Sequence, residues 1–319
     1  MYTIRPFNNS EADFEASTHV FNSMYPEYAQ PVAQSKYDDE NRSKDYFYLR
    51  EMIEKDGKVI AVGRVNQSPW SFHPQKYDWG VFVHPDYDAT DISQYHFDHI
   101  MKTTLADKDV IAMKSSARED EAWRLQFLKD NGFTFKMRYP HSQLDVNAFD
   151  ASPFESKVKR FKDSEIEIID SVELKRREPE NWQRILHGLC RVLDADIPNP
   201  DSIEEEPLEL FVKGELEHPT FMPEGWLVAL DGGDYIGITM LRKDSMNPKK
   251  LWTGLTGTLR SHRRKGIATV LKLHAIDIAK RYGASVIETD NEENNPMFQI
   301  NLQLGFEAIP AWMDFEKTI

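Results

Sequence analysis

At 319 residues the chain is longer than one ordinary core and about the length of two domains. Its hydrophobic share of 40% and charged share of 29% are those of a soluble globular protein, and no apolar run approaches the roughly 20 residues of a membrane span. Fifty-three acidic against 39 basic side chains, a formal charge of −14, oppose broad nucleic-acid binding, and a single cysteine, Cys190, excludes an internal disulfide framework or a cysteine-rich zinc site. The opening MYTIRPFNNSEADF has no apolar segment of the signal-peptide kind, so the cytoplasm is the expected compartment.

YFYLREMIEKDGKVIAVGRVNQS reads as strand, turn, strand, with Asp56-Gly57 as the hairpin signal. YDWGVFVHPD is a further strand. Residues 94–106 have helical spacing, with Phe97, Ile100, Met101 and Leu105 on one side. DVIAMKSS is a strand, EDEAWRLQFLKDNGF a short helix stopped at Asn131-Gly132, and FKMRYPHSQLDV a closing strand. NAFDASPFESKVKRFKDSE then loses apolar periodicity and reads as a linker.

The second half repeats this order. IEIIDS is a strand and NWQRILHGLCRVLDAD a helix. GWLVALDGGDYIGITMLRK is a hairpin around Asp231-Gly232-Gly233, and LWTGLTGTLR is a strand. Residues 267–282 form a helix with Ile267, Leu271, Ala275, Ile278 and Tyr282 along one stripe and Gly283 just past its end. ASVIETD is a strand, Asn295-Pro296 opens a helix that stops at Gly305-Phe306, and AIPAWMDFEKTI is the last strand. Asp56 and Asp231 lie 175 positions apart, Gly132-Phe133 and Gly305-Phe306 lie 173 apart. The sequence therefore predicts two copies of one mixed α/β unit, each a mostly antiparallel sheet flanked by helices. The expected domains are 1–148 and 165–319, joined by a linker at 149–164.

The most informative stretch is SHRRKGIATVLK. A strand delivers Gly257, Thr258 and Leu259, cations follow at Arg260, Arg263, Arg264 and Lys265, and a helix begins near Gly266. The first turn of a helix leaves backbone N–H groups without partners and carries partial positive charge, which makes it a ready phosphate site. Gly266 removes the side chain that would block close approach, and Ala268 nearly does so one step further in. The usual nucleotide motifs G-x-x-x-x-G-K-[ST] and G-x-G-x-x-G are absent from this place. Arg-Arg-Lys before a helix is also compatible with a merely solvated loop.

Arg263-x-x-Gly266-x-Ala268 resembles the Q/R-x-x-G-x-G/A loop of the GCN5-related N-acetyltransferases (GNAT). TGLTGTLRSHRRKGIATVLK and NEENNPMFQINLQLGF extend that resemblance across roughly 165–319. The resemblance implies acetyl-CoA as acyl donor, without a metal, and a soluble enzyme that acetylates an amine. It implies that the amides of 263–268, Ile267 among them, hold the pyrophosphate. It also implies that Gly257, Thr258 and Leu259 pair with the pantetheine arm and that Asn295 contacts the cofactor.

Two departures leave the chemical step unassigned. Many members place a tyrosine four residues before the Gly-Phe stop, to protonate the leaving thiolate; Asn301 stands there, either orienting the thioester or an ordinary helix residue. Many supply a carboxylate from the strand before the loop; residues 251–259 contain none, which leaves Asp290 or Glu288 on the next strand to serve through water, although both read first as surface or capping groups.

In the first half, at offset 175, Asp88 answers to Arg263, Asp91 to Gly266 and Ser93 to Ala268. Carboxylates repel a pyrophosphate, so this copy is expected to keep the fold without binding CoA. The tandem arrangement resembles that of mycothiol synthase in architecture. Residues 194–226 are expected to cover the acceptor site. Glu204, Glu205 and Glu206 read either as an amine-attracting cluster or as acids at a helix start, and Cys190 as buried and inert. The leading expectation is acetyl transfer to a primary amine of a small molecule. The alternatives are a non-catalytic acyl-CoA-binding module and a protein or peptide acetyltransferase. Oligomeric state is not legible.

Overall fold

The computed structural model describes residues 1–106 and 108–319. They form two compact units: Met1–Arg138, Asn199–Glu204 and Pro310–Ile319 make the first, Tyr139–Pro198 and Glu205–Ile309 the second. Among the described residues no helix is long and apolar enough to cross a membrane, and no group of three or more His, Cys, Asp or Glu could hold a metal ion.

The first unit contains β1 (Tyr2–Pro6), α1 (Glu11–Met24), α2 (Val32–Asn41), β2 (Tyr48–Lys55), β3 (Lys58–Asn66), β4 (Lys76–Val83), α3 (Ala89–Lys102), β5 (Ala112–Arg118) and α4 (Ala122–Asp130). β6 (Thr134–Asp145) leads out of it. The second unit continues with α5 (Glu155–Lys162), β7 (Glu167–Asp170), α6 (Ser171–Arg177), α7 (Trp182–Asp194), α8 (Leu208–Phe211), β8 (Phe221–Asp231), β9 (Asp234–Lys243), β10 (Lys250–Thr258), α9 (Ile267–Tyr282), β11 (Val286–Asp290) and α10 (Pro296–Gln303). β12 (Glu307–Thr318) ends the chain's regular structure.

Each unit's sheet is antiparallel except for one parallel pair. In the first the order is β1-β2-β3-β4-β5-β12, with β4 and β5 parallel; in the second it is β7-β8-β9-β10-β11-β6, with β10 and β11 parallel. The closing strands are exchanged. β12, from the end of the second half, lies along β5, Trp312 opposite Arg118 and Thr318 opposite Ala112. β6, from the end of the first half, lies along β11, Asp145 opposite Val286 and His141 opposite Asp290. The compact units thus run differently from the linear division expected at 148 and 165. The expected linker also holds α5, and its flanking Phe149 and Phe154, with Val158 and Phe161, pack into the core beneath α9.

Local chemistry explains most element ends. Asp56 and Gly57 both have positive φ, 52° and 76°, as a tight hairpin turn demands. α9 stops at Gly283, also at positive φ, where the amides of Gly283 and Ala284 return to the Ala279 carbonyl. Two layers of side chains cover the second sheet. Leu251, Ile287, Leu271 and Phe306 fill the face toward α9, and Trp226, Ile238, Met240 and Leu193 the face toward α7.

In both units the parallel pair separates early. β4 keeps only Lys76–Asp78 against β5, and β10 keeps only Lys250–Thr253 against β11. In the first unit one side chain bridges the opening. Buried Arg124 of α4 donates from Nη1 to the Val81 carbonyl at 3.1 Å and from Nε to the Ser116 carbonyl at 2.7 Å, one on each strand. Gly80 lies against it; a Cβ there would stand 3.4 Å from the guanidinium. Arg124→Ala strips two buried carbonyls of their donor and opens a void, so it is expected to lower stability by about 2–5 kcal/mol, read as the midpoint of urea unfolding. An unchanged midpoint would refute the bridge.

Candidate functional site

The site of interest lies in the second unit, where β10 leaves β11. Beyond Thr253 the register of β10 against β9 slips by one bulge, and pairing resumes at Thr256 with Thr239, Gly257 with Ile238 and Thr258 with Gly237. Gly254 and Leu255 are the bulged residues. A Cβ at Gly254 would stand 3.3 Å from the Met240 methyl, so glycine lets the strand bend there. Among the described residues no strand pairs with the bulged and following residues of β10 on their β11 side, which leaves main-chain groups for an extended ligand to pair with. Leu259 carries on the pairing to the far side, its amide donating to the Ile236 carbonyl at 2.8 Å.

After Thr258 a single 3-10 turn (Arg260–His262) leads into the loop. Arg264 and Gly266 both have positive φ, 66° and 83°. Gly266 is the N-cap of α9, and no side chain caps that helix start. A Cβ built on Gly266 would meet nothing within 4 Å, so the space in front of the helix is open. The amides of Ile267, Ala268 and Thr269 face it as the unpaired donors of a first turn. Ile267 is core by its side chain and contributes only its backbone; Ala268 is half-buried. Arg263 forms an ion pair with Asp196 and donates from Nε to the Thr258 carbonyl at 3.3 Å; Arg260 Nε reaches the same carboxylate at 2.7 Å. Hydrogen bonding to Arg260 holds Asp196 below the usual carboxylate range. Arg264 and Lys265 are exposed and make no ion pair among the described residues.

The first unit meets the same demand differently. Asp88 is the N-cap of α3, and its Oδ1 accepts from the amides of Thr90 at 2.9 Å and Asp91 at 3.1 Å. Five residues separate β4 from α3, against eight between β10 and α9. A constant offset therefore misassigns the pair: by helix start it is Asp88, not Asp91, that answers to Gly266. Asp91 instead accepts from the Tyr2 hydroxyl at 2.9 Å.

The second lip of the opening is built by β11 and α10. Asp290 ends β11 and is exposed; Asn291 follows it. Asn301 is fully buried and donates from Nδ2 to Asn291 Oδ1 at 2.6 Å, while its own Oδ1 has no hydrogen-bond partner. Asn295 is the N-cap of α10, its Oδ1 accepting from the Met297 amide at 3.0 Å, so that oxygen is committed to the helix. Glu288 is buried in an ion pair with Lys250 at 2.9 Å, which itself lies 4.1 Å from the Trp252 ring. That makes Glu288 a structural anion rather than a free base.

On the α7 side, Leu193 covers Gly257, where a Cβ would stand 3.1 Å from it. Asp194 follows, and burial with the nearby charge of Glu206 pushes its carboxyl up to about 7. The three glutamates do not form one cluster. The Glu204 amide bonds the Pro69 carbonyl, Glu205 pairs with Arg191 at 2.7 Å, and the Glu206 carbonyl accepts from His187; α8 starts only at Leu208. Cys190 is buried against Met240, and burial raises its thiol well above the ordinary range. Sequence reasoning missed the bulge and Asp194. Gly254 inside a strand pattern was the available signal for the first.

Residues 187–306 match the acetyltransferase (GNAT) family model. A curated relative, N-alpha-acetyltransferase 30 of Schizosaccharomyces pombe, is 27% identical over 124 residues, 38% of this chain and 77% of the relative. Among solved structures, a tandem GNAT protein from the clavulanic acid biosynthesis pathway aligns over 100% of this chain and 98% of its own with a TM-score of 0.75 at 15% identity. A GCN5-related N-acetyltransferase from Sphaerobacter thermophilus aligns over 99% and 95% with a TM-score of 0.67, also at 15% identity. Residues 187–306 are thus an acetyltransferase domain of the GNAT family, and the chain is an N-acetyltransferase with the tandem GNAT fold.

Proposed function

We propose that the second unit binds acetyl-CoA with its diphosphate on the amides at the start of α9 and transfers the acetyl group directly to a primary amine of a small molecule. The observation that carries this reading is the uncapped start of α9, with open space before Gly266 and free cations at Arg264 and Lys265, at the end of a strand that has lost its neighbour. The pantetheine arm would pair along Gly257 to Leu259 and the bulge. There a main-chain N–H can polarise the thioester carbonyl and stabilise the oxyanion of the amine adduct. Asn295 and Asp290 border the same opening from the β11 side. Asp194, with a carboxyl near neutrality, is suited to attract a cationic amine and accept its proton. The first unit, with Asp88 on its own helix amides and Arg124 across its opening, is read as a scaffold that takes up no CoA. The cytoplasm is the compartment that fits this reading.

The likeness to the S. pombe N-alpha-acetyltransferase favours a second reading, in which the acceptor is a peptide N-terminus. Release of free thiol from acetyl-CoA with a panel of small amines against N-terminal peptides separates the two. Turnover with small amines at least about tenfold faster than with any peptide is expected; the reverse order would replace the first reading by the second.

Gly266→Asp copies the carboxylate cap of the first unit onto α9. It is expected to weaken CoA binding by at least about tenfold, about 1.4 kcal/mol, in calorimetric titration. Retained binding would place the diphosphate elsewhere.

A further inference from the structure

In the first unit Arg64 lies opposite Gly80, and Asn66 opposite Asp78, across β3 and β4. Alternate residues share a face, so Arg64, Asp78, Gly80 and Phe82 stand on one side of the sheet. Arg64 is in the middle of a strand paired on both edges, yet it is exposed, so this part of the face is uncovered. A Cβ on Gly80 would meet nothing within 4 Å except Nη2 of Arg124, at 3.4 Å. Gly80 therefore floors a notch. Asp78 and Phe82 flank it on β4, Arg64 stands on β3, and the tip of buried Arg124 reaches in from between β4 and β5.

The charges around this notch are not matched to one another. Arg124 uses Nη1 and Nε on the Val81 and Ser116 carbonyls, and its Nη2 makes no hydrogen bond among the described residues. Arg64 makes neither a hydrogen bond nor an ion pair among them; its guanidinium lies 5.7 Å from the centre of the Phe82 ring. It also stands directly opposite Arg50, an unfavourable pairing of like charges in which Arg50 alone has a partner, Asp39. Asp78 has Lys114 Nζ at 3.7 Å, too far for a hydrogen bond, and Lys114 is engaged by the Ser71 carbonyl and Asp201. Burial raises the Asp78 carboxyl against the lowering charges of Lys114 and Arg64, yet its side chain is 31% exposed, as befits the wall of a recess. The nearby Asp314 is taken, accepting from Ser116 Oγ at 2.6 Å. Two guanidiniums and one carboxylate thus border open space, where a neutral residue at position 64 would serve the sheet better.

We propose that the notch over Gly80 binds a small zwitterion, an α-amino acid, with its carboxylate on the guanidiniums of Arg64 and Arg124 and its ammonium on the carboxylate of Asp78. A planar carboxylate matches the paired N–H groups of guanidinium. Asp78 and Gly80 are two residues apart on one strand, about 6.6 Å, so a molecule carrying both charges on one carbon bridges the two ends of the notch. A simple amine would leave both guanidiniums without an acid, and a simple carboxylic acid would leave Asp78 without a cation. This site lies in the other unit from the proposed cofactor loop, and its occupation needs no acetyl-CoA.

The full chain, without acetyl-CoA, is screened by thermal melting against the common α-amino acids at millimolar concentration, and those that raise the melting temperature are titrated by calorimetry. At least one amino acid is expected to bind, while its decarboxylated amine, its deaminated acid and inorganic phosphate do not. Arg64→Gln changes an exposed side chain and is expected to melt as the wild type does, while binding that amino acid at least about tenfold more weakly; Asp78→Asn is expected to weaken it to the same degree. Should Asp78→Asn fail to fold, the amino acid against its deaminated acid on the wild type decides the ammonium contact. A chain that binds none of the amino acids overturns the proposal. So does unchanged binding in Arg64→Gln, which places the amino acid elsewhere, and so does a deaminated acid or phosphate that binds as tightly as the amino acid.

Discussion

The constraint on which the site depends is that the first turn of a helix carries amide donors that something must satisfy. The chain builds the same strand–loop–helix turn twice and answers this constraint in opposite ways. Before α3 it spends five residues and ends on Asp88, whose carboxylate takes two of the amides at once. Before α9 it spends eight, forces Arg264 and Gly266 into left-handed backbone, and leaves the amides to water or to a ligand. Left-handed backbone at a non-glycine residue has a conformational cost that a plain connection would avoid. An anion held in the loop offsets that cost; a solvated turn does not. The same opposition recurs at the strand opening, closed by Arg124 in one unit and, among the described residues, unbridged by any arginine in the other.

Topology brings these features to one place. Two parallel neighbours need a crossover, and a helix serving as that crossover starts at the C-terminal end of the first strand. The positive end of α9 is thereby delivered next to the segment of β10 that has departed from β11. The bulge at Gly254 and Leu255 turns the strand's free edge, Leu193 packs against β10 at Gly257, and Leu271 packs against the neighbouring β9 at Gly237. The proposed phosphate grip, main-chain edge and thioester position would thus follow from one βαβ connection plus one extra residue, with little demand on side-chain identity. That explains how relatives at 15% identity keep the fold over nearly the whole chain.

What could be read in the sequence was what local chemistry decides. The Asp56-Gly57 hairpin, the Gly283 stop, the Asn295-Pro296 helix start and the exposed cations at Arg264 and Lys265 each follow from a few adjacent residues, and each is present. Features decided by distant pairing were not legible. Nothing in FKMRYPHSQLDV says that it will lie along β11, or in AIPAWMDFEKTI that it will lie along β5; both are amphipathic strands and fit either sheet. The assignment of Asp91 to Gly266 failed because a constant offset assumes equal loop lengths, and the loop is where the copies differ. The glutamates at 204–206 looked like one cluster because they are adjacent in sequence, whereas their hydrogen bonds and ion pairs point to separate partners.

Polar groups inside a core are the least ambiguous trace of a demand other than stability. Lys250 with Glu288, and Arg124 with two carbonyls, are satisfied networks that the fold itself uses. Lys272 and the Oδ1 of Asn301 are different: each is buried, and neither has a hydrogen-bond partner among the described residues. In a medium of low polarity such a pair weakens the folded state, and the Phe306 ring compensates an ammonium only in part.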